Sequence, residues 1–415
     1  MKLKMFPSSV LAMLTLATPS CRKTDGPQLP PEPAKPIVLS ADYAAKTLSN
    51  RSFALDLFKA TVADSGGENL FISPYSVNTA FNMAWNGTAG GTAVETGEVL
   101  GNGGYTKEQI NDYFKTLTDA LLTIDPTTEL KIANSIWADN STPFKPSFVQ
   151  VNATWYNAEV KNVDFSQQAA RDAIDRWCRD NTAGKIDRIS DGMTPDTKFA
   201  LINAVYFKAK WRQKFDAALT RSETFTDSNG TKAMVQMMNL KDEFLYSDDD
   251  KDWKMLRLPY GNYAFDMVIM MPYTADQPLD SVIPTLTADK FYDLFRSTNR
   301  YSVTVKLPKF KAEYSYALQE KILPSMGMHL IFDPSRADLS GMCDAPMFVN
   351  RVIHKTYIDV YEEGTEAAAV TSISGVTSSP GPGTPINFFV DRPFIYSIVE
   401  TSTGTILFMG RMNGF

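Results

Sequence analysis

Few residues in this chain have the chemistry of a catalyst or a metal ligand. The 415 residues include two histidines, His329 and His354, and three cysteines, Cys21, Cys178 and Cys343. No two cysteines have the short spacing of a metal-ligand pair, and no Gly-x-Ser-x-Gly motif offers a hydrolase nucleophile. The sequence therefore predicts no catalytic residue, no metal site and no cofactor.

Residues 361–371, YEEGTEAAAVT, carry a different pattern. Gly364 supplies flexibility, and small side chains then recur at a period of two, which places them on one face of an extended chain. Between Glu366 and Pro380 there is neither charge nor proline, as a segment entering a sheet between two strands requires. The composition after residue 371 also fits a flexible polar loop, so the pattern leaves two alternatives, an inserting strand and a flexible loop. The positions at period two are Thr365, Ala367, Ala369, Thr371, Ile373, Gly375 and Thr377.

The charge balance argues against a nucleic-acid partner. Lysine and arginine number 41, aspartate and glutamate number 47, and the formal net charge is −6. The basic residues are scattered and form no stripe that could follow a phosphate backbone.

The first 21 residues look like an export signal. Lys2 and Lys4 precede an apolar run over residues 10–17, and small residues then lead to Cys21. This run is shorter than the roughly 20 residues that span a bilayer. Cleavage before Cys21 and acylation of its thiol would give a cell-envelope lipoprotein in the periplasm or at the cell surface, attached to the membrane only through lipid. An ordinary signal peptide cut nearby would give a secreted protein.

A proline-rich polar segment over residues 22–39 predicts an extended tether. Helices are predicted from Ser40 and from Ser73, each a good N-cap, and from Thr106, with later helices at residues 165–182 and 315–328. Alternating or continuous apolar patterns predict strands at residues 129–139, 198–211, 254–260, 264–272, 301–310 and 387–400. Helices first and strands afterwards predict an α+β fold with large mixed or antiparallel sheets. No change of composition divides residues 40–415, so we predict a single domain there.

Seven stretches occur in an order that resembles the serpin family over residues 40–415. Each is mostly apolar and weak alone, but seven in one order make chance similarity improbable. The resemblance implies the serpin fold, in which helices pack on large sheets and a reactive-centre loop, here at about residues 362–386, is exposed. The stretches are NLFISPYSV from Asn69, IDRWCRDNTAGKI from Ile174, LINAVYFKAKW from Leu201, VKLPKF from Val305, LSGM from Leu339, HKTYIDVYEEGTEAAA from His354 and VDRPFIYSI from Val390.

In serpins the loop is bait for a protease and becomes a strand of the main sheet after cleavage. The resemblance thus implies a monomeric suicide-substrate inhibitor that forms a covalent acyl complex with a serine or cysteine protease. A non-inhibitory serpin that acts as a binder or chaperone is the alternative, although such members usually have bulky, charged or proline residues where this hinge has alanines. The implied hinge residues are Glu362, Glu363, Gly364, Thr365, Glu366, Ala367, Ala368 and Ala369.

The family pattern places the scissile bond fourteen residues after the hinge glycine, between Ser378 and Ser379. Counting back from the DRPF stretch leads instead to Pro382, because the segment is longer than usual. Bonds with proline on the leaving side are poor substrates, so Val376–Thr377 and Thr377–Ser378 are the alternatives.

The candidate bonds all present small uncharged residues. No arginine or lysine occurs between Lys355 and Arg392. We therefore predict a protease with a small apolar primary pocket, elastase-like or subtilisin-like.

The resemblance also implies residues that govern opening of the main sheet. Ser73, Ser76, Asn203 and His354 match a polar cluster beneath its centre, and Trp211 matches a tryptophan at its top. The structural alternatives are a helix cap for Ser73, a satisfied strand histidine for His354 and core packing for Trp211.

Two further features follow from the resemblance. Family members commonly have an acid at the position of Glu362, which predicts an ion pair with a partner that the sequence does not identify. The segments that carry Cys178 and Cys343 lie far apart in the family fold, which implies buried free thiols in preference to a disulfide.

Overall fold

The computed structural model describes residues 31–365 and 385–415. Its helices in these ranges are α1 Ala41–Asp64, α2 Pro74–Trp85, α3 Gly90–Val99, α4 Lys107–Thr123, α5 Pro146–Tyr156, α6 Gln168–Asn181, α7 Leu279–Val282, α8 Ala288–Arg296 and α9 Ile322–Ser325. The strands are β1 Leu70–Ile72, β2 Glu129–Asp139, β3 Glu159–Val163, β4 Phe199–Lys210, β5 Arg221–Thr226, β6 Lys232–Asp248, β7 Trp253–Pro259, β8 Phe265–Pro272, β9 Asn299–Pro308, β10 Phe310–Ala317, β11 Arg351–Tyr361, β12 Gly364–Thr365, β13 Ile386–Phe389, β14 Phe394–Glu400 and β15 Ile406–Met412.

Local signals in the sequence account for the helix starts. The Ser40 side chain caps α1 by accepting a hydrogen bond from the Tyr43 N–H at 3.2 Å. Thr106 and Gln109 form a reciprocal capping box at the start of α4. Pro74 occupies the first turn of α2, where its missing N–H costs nothing. The three early helices are therefore confirmed.

The described strands form two sheets. One is nine-stranded in the order β1-β15-β14-β8-β7-β6-β9-β13, with β5 paired to β6. The other is six-stranded in the order β10-β11-β12-β4-β2-β3, with an additional pairing of β11 to β4. Helices before mixed sheets are the α+β architecture that the sequence predicted, and the fold prediction is confirmed.

Strand β4 of the six-stranded sheet is buried on both faces. Along β4, Leu201 joins the large core that α1 and α2 share with both sheets, whereas Ala200 and Ile202 join a second cluster. That second cluster includes Ile174 and Cys178 of α6. Burial on both faces explains why β4 is apolar almost throughout. Asn203 is an exception, and its buried amide needs hydrogen-bond partners.

Two predicted elements are wrong. The strand predicted at residues 387–400 is two strands, because Pro393 cannot donate a ladder hydrogen bond and the chain changes place: β13 pairs with β9, while β14 lies between β8 and β15. The helix predicted at residues 315–328 is mostly absent, since residues 315–317 extend β10 against β11. Only α9 is helical in that region, and it contains Pro324.

The last residues of the predicted tether contact the folded body. Ala34 and Ile37 are partly buried against the main core, six and three residues before the predicted start of the folded part at residue 40. The chain therefore contacts the folded body at residues 34 and 37, before α1 begins at Ala41.

Candidate functional site

A two-residue strand lies between two long strands at one end of the six-stranded sheet. β12 pairs antiparallel with both neighbours, through Thr365 and Val360 on β11 and through Thr365 and Ala209 on β4. At the other end, β11 and β4 pair directly and in parallel as far as Lys355 opposite Ala204. The sheet is thus parted by β12 at what we call the open end, and continuous at the closed end.

Gly364 is the residue at which the chain turns back from β11 into the sheet. Its φ is +154°, and a Cβ there would lie 2.1 Å from the Ala209 carbonyl oxygen and 2.7 Å from Lys210 Cα. Both are backbone atoms of β4, so no change of rotamer can relieve the contact. The predicted hinge glycine therefore occupies a place where a side chain would push β12 away from β4.

Aromatic side chains support the open end. The Thr365 side chain is 1% exposed and its hydroxyl shares a hydrogen bond of 2.5 Å with the Tyr260 hydroxyl. The Tyr260 ring stacks on Trp211 with 4.5 Å between centroids. Trp211 donates from Nε1 to the Tyr361 carbonyl at 2.8 Å and from its backbone N–H to the Glu363 carbonyl at 3.0 Å. The tryptophan predicted at the top of the sheet thus contacts the hinge while its ring packs in the core.

Two ion pairs hold the chain just before the hinge glycine. Glu362 Oε2 lies 2.9 Å from Lys309 Nζ, and Thr220 donates to Glu362 Oε1 at 2.8 Å. Glu363 Oε2 accepts from Lys214 Nζ at 2.6 Å. Burial alone would raise the pKa of the Glu362 carboxyl, but the hydrogen bonds from Lys309 and Thr220 outweigh burial and lower it. Lys309 is the partner that the sequence left unidentified.

Three of the four predicted cluster residues are joined around His354 at the closed end. The backbone N–H of Ser73 donates to His354 Nε2 at 2.9 Å, and His354 Nδ1 lies 3.0 Å from Asn203 Oδ1. Because a backbone N–H can only donate, Nε2 is the acceptor and the ring proton belongs on Nδ1. His354 and Asn203 are also direct partners in the β11–β4 ladder. Their side chains therefore fasten the two strands that part at the open end.

Asn203 connects the fourth predicted residue. Its Nδ2 donates to the Ser76 hydroxyl, to the Ser76 carbonyl at 3.1 Å and to Asn134 Oδ1 at 2.5 Å. The Ser73 hydroxyl donates to the Leu407 carbonyl at 2.6 Å and makes no capping bond to α2. The helix-cap alternative for Ser73 is therefore wrong, and all four residues meet in one buried network.

Sequence reasoning missed Asn134, Thr356 and Tyr260. Asn134 had a usable signal, since it is an amide between the apolar pairs Ile132–Ala133 and Ile136–Trp137 of β2. Thr356 had none: its hydroxyl donates at 2.6 Å to the carbonyl of Phe71, 285 residues away. Tyr260 likewise contacts the hinge only through the tertiary structure.

The environment of His354 keeps its ring neutral. Burial lowers the pKa of this imidazole to about 3 from its ordinary value of 6.5, and a proton on Nε2 would face the Ser73 N–H. Between those two pH values the unfolded chain binds a proton that the folded chain does not. The stability that depends on the neutral ring is complete above about pH 6.5 and decreases as the pH falls, by about 2 kcal/mol at pH 5.

We expect the urea midpoint of the native protein to decrease between about pH 7.5 and pH 5, and part of this decrease to vanish in His354→Gln. Glutamine cannot ionise, so the variant isolates the histidine from the carboxylates that titrate in the same range. His329→Gln is the matched control, because it removes an exposed histidine in place of the buried one. Equal pH dependence in His354→Gln and the parent protein would contradict the assignment.

Several predicted residues lie outside the described residues. These are Cys21, the hinge residues Glu366, Ala367, Ala368 and Ala369, and the reactive-bond residues Val376, Thr377, Ser378 and Ser379. Their predicted roles remain predictions. Cys178 and Cys343 are described, and both are buried free thiols.

The described ranges meet neither the requirements of a three-ligand metal site nor those of a membrane-spanning helix. Within residues 31–365 and 385–415, no group of three or more His, Cys, Asp or Glu side chains is placed to hold a metal ion. No helix in the same ranges has both the length and the apolar character needed to cross a membrane.

Comparison with known proteins identifies relatives of the whole described body. Residues 48–414 match the family described as serpin (serine protease inhibitor). The human leukocyte elastase inhibitor is 34% identical over 376 residues, which cover 88% of this chain and 98% of that protein. The native crystal structure of the thermophilic serpin tengpin superimposes with a TM-score of 0.82 at 30% identity, covering 93% of this chain and 98% of tengpin. Human thyroxine-binding globulin complexed with its hormone has a TM-score of 0.81 at 26% identity, covering 90% and 99% of the two chains.

Proposed function

Because the chain belongs to the serpin family, we propose that it is a suicide-substrate inhibitor of serine proteases. The observation that carries the proposal is the partial insertion at the open end of the six-stranded sheet. Gly364 and Thr365 already occupy the first two places of a strand between β11 and β4. The remainder of the loop needs only to continue in the same register.

That register indicates what the loop would meet. Both ladders of β12 are antiparallel, and Thr365 is the residue farthest along the loop in each. Continued by six residues, they would bring Thr371 opposite Asn203 on β4 and opposite His354 on β11. Insertion therefore requires the 3.0 Å contact between Asn203 and His354 to separate, and it supplies a hydroxyl between them.

Side-chain size supports the same register. Alternate loop residues would share the buried face of Thr365 and meet side chains of β4 that are buried in the present structure. Cross-strand pairs contribute about 0.2–1 kcal/mol each, so a strand of this length would release several kcal/mol. The uncut protein must then be held by a kinetic barrier. The pairs are Ala367 with Phe207, Ala369 with Val205 and Ile373 with Leu201.

In this mechanism the protease supplies all the catalytic groups. Its nucleophile attacks the scissile carbonyl, forms an acyl-enzyme and releases the new amino terminus of the segment beyond the cut. The loop then inserts, carrying the acylated protease with it and distorting the protease active site before water can deacylate it. No residue of this chain acts as a catalyst.

We propose an elastase-like or subtilisin-like target. The candidate bonds at residues 376–379 present only small or β-branched uncharged side chains, and the segment between Lys355 and Arg392 lacks the basic residue that a trypsin-like pocket requires. The 34% identity to a protein named leukocyte elastase inhibitor supports the same class.

The test is to mix the purified protein with neutrophil elastase, pancreatic elastase, subtilisin and trypsin. We expect an adduct stable in SDS with an elastase or subtilisin, and a released C-terminal peptide that mass spectrometry shows to begin at Thr377, Ser378 or Ser379. Trypsin is the matched negative control. Cleavage by every protease without any adduct would contradict inhibition and favour the alternative, a non-inhibitory serpin that binds a ligand or a client protein.

We also propose that the protein is exported as a monomer and attached to the cell envelope through lipid on Cys21. The support is the signal-like segment that ends at this cysteine. Metabolic labelling with a radioactive fatty acid should mark the parent chain, and Cys21→Ser should be unlabelled.

A further inference from the structure

The chain just before α1 binds the body of the protein at every third residue. Prolines at 31, 33 and 36 favour a polyproline II conformation, whose three residues per turn place residues 31, 34 and 37 on one face. We call residues 31–39 the N-terminal strap. Its hydrogen bonds run from Arg212 Nη1 to the Pro31 carbonyl at 3.0 Å, from the Ala34 N–H to the Asn262 carbonyl at 2.8 Å and from the Ile37 N–H to Ser402 Oγ at 2.9 Å.

Burial agrees with this period at residues 34 and 37, while Pro31 is exposed and Leu39 is also partly buried. Ala34 and Ile37 are partly buried against the main core, whereas Val38 is 90% exposed. Proline restricts the unbound chain to extended conformations, which reduces the entropy that docking must overcome. The strap is therefore a bound segment with a defined inner face.

The strap joins elements of both sheets. Arg212 lies two residues after the end of β4, a strand of the six-stranded sheet. Asn262 and Ser402 lie in the turns that follow β7 and β14, strands of the nine-stranded sheet. The strap thus connects the end of β4 to two turns of the other sheet.

Arg212 connects this contact to the open end. Its Nη1 also donates to the Gly261 carbonyl at 3.1 Å, and its guanidinium lies 4.7 Å from the centre of the Tyr263 ring. Tyr260, in the same turn, stacks on Trp211 and shares its hydroxyl hydrogen bond with Thr365. The turn at residues 259–263 therefore contacts both the strap and the hinge.

We propose that the N-terminal strap restrains opening of the six-stranded sheet in the uncut protein. A loop can enter only if β4 and β11 separate, and separation moves the end of β4 relative to the turn at residues 259–263. Two backbone bonds mark that junction, Arg212 N–H to the Pro259 carbonyl at 2.8 Å and Gly261 N–H to the Lys210 carbonyl at 2.9 Å. The strap spans the same junction, so opening must break or stretch its contacts. The inference rests on the proposed function only where it speaks of loop insertion.

Ala34→Pro is the sharpest test in the full chain. Proline suits a polyproline II segment and deletes the N–H that bonds to Asn262, while adding two ring carbons at a partly buried position. Lys35→Pro is the matched control, since Lys35 is exposed and its N–H makes no hydrogen bond among the described residues. Hydrogen–deuterium exchange of the Gly261 and Arg212 amides should accelerate about fivefold in Ala34→Pro, the effect of one net hydrogen bond. Spontaneous loss of adduct-forming capacity on warming should accelerate by a similar factor.

The two readouts separate this inference from the proposed function. Faster exchange in Ala34→Pro, with no adduct from any variant or from the parent, would leave the restraint established and overturn inhibition. Adducts from all proteins, with exchange in Ala34→Pro equal to that in Lys35→Pro, would overturn the restraint and leave inhibition established.

Discussion

Replacing Thr365 with arginine should convert the protein from an inhibitor into a substrate of the same protease. Thr365 is 1% exposed between β11 and β4, and its hydroxyl meets Tyr260 at 2.5 Å. An arginine there must either bury an unpaired guanidinium or leave the sheet, and a strand cannot propagate past a residue that has left it. Cleavage at the reactive bond would continue, whereas insertion would be slower than deacylation. We expect the ratio of adduct to cleaved protein to fall about tenfold or more.

Two controls distinguish this result from misfolding. Thr365→Ser keeps a small side chain and the hydroxyl that meets Tyr260, so it should form adduct nearly as well as the parent protein. Near-ultraviolet circular dichroism of Thr365→Arg should remain native, because β12 is only two residues long. A native Thr365→Arg protein that forms adduct as efficiently as the parent would show that this position does not enter the sheet.

Local pattern was sufficient for much of the fold. The bounds predicted for β2 agree with the structure, and those for β4, β7 and β8 agree to within one residue at each end. Strands of this kind can be predicted because they are rich in β-branched and aromatic residues. The wrong predictions occur where contacts with partner strands determine the secondary structure. Pro393 separates two strands that bind different neighbours, and Ser315 belongs to β10 because a partner strand lies beside it.

In the candidate site, too, the sequence located residues but did not predict their contacts. Ser73, Ser76, Asn203 and His354 are polar residues that local pattern does not single out, and resemblance to a family located them. Their bonds were not predictable, since the Ser73 N–H and His354 Nε2 come from positions 281 residues apart. The strap was missed for a related reason: a proline-rich sequence indicates an extended chain but does not reveal what that chain binds.

Reversing the charge of Glu362 should open the sheet without any protease. Glu362→Lys places a second cation beside Lys309 Nζ, where the carboxylate now lies at 2.9 Å and is 11% exposed, and it removes the acceptor of the Thr220 hydroxyl. Because the Lys309 side chain is 39% exposed, losing this partly buried pair costs about 1.5 kcal/mol, which is about tenfold in the rate of opening. A parted sheet exposes unpaired strand edges that can accept a loop from another molecule. Native gels should therefore show oligomers forming much faster than in the parent protein at the same temperature.

The charge-swapped double variant tests whether the ion pair is the cause. Lys309→Glu combined with Glu362→Lys restores opposite charges across the same gap, and oligomer formation should return most of the way to the parent rate. Recovery should be incomplete, since lysine at position 362 cannot accept the hydrogen bond that Thr220 now donates. Lys309→Glu alone should behave like Glu362→Lys, because it places two carboxylates together. If the double variant oligomerises as fast as either single variant, the ion pair does not hold the open end, and the aromatic contacts of Trp211 and Tyr260 must restrain it alone.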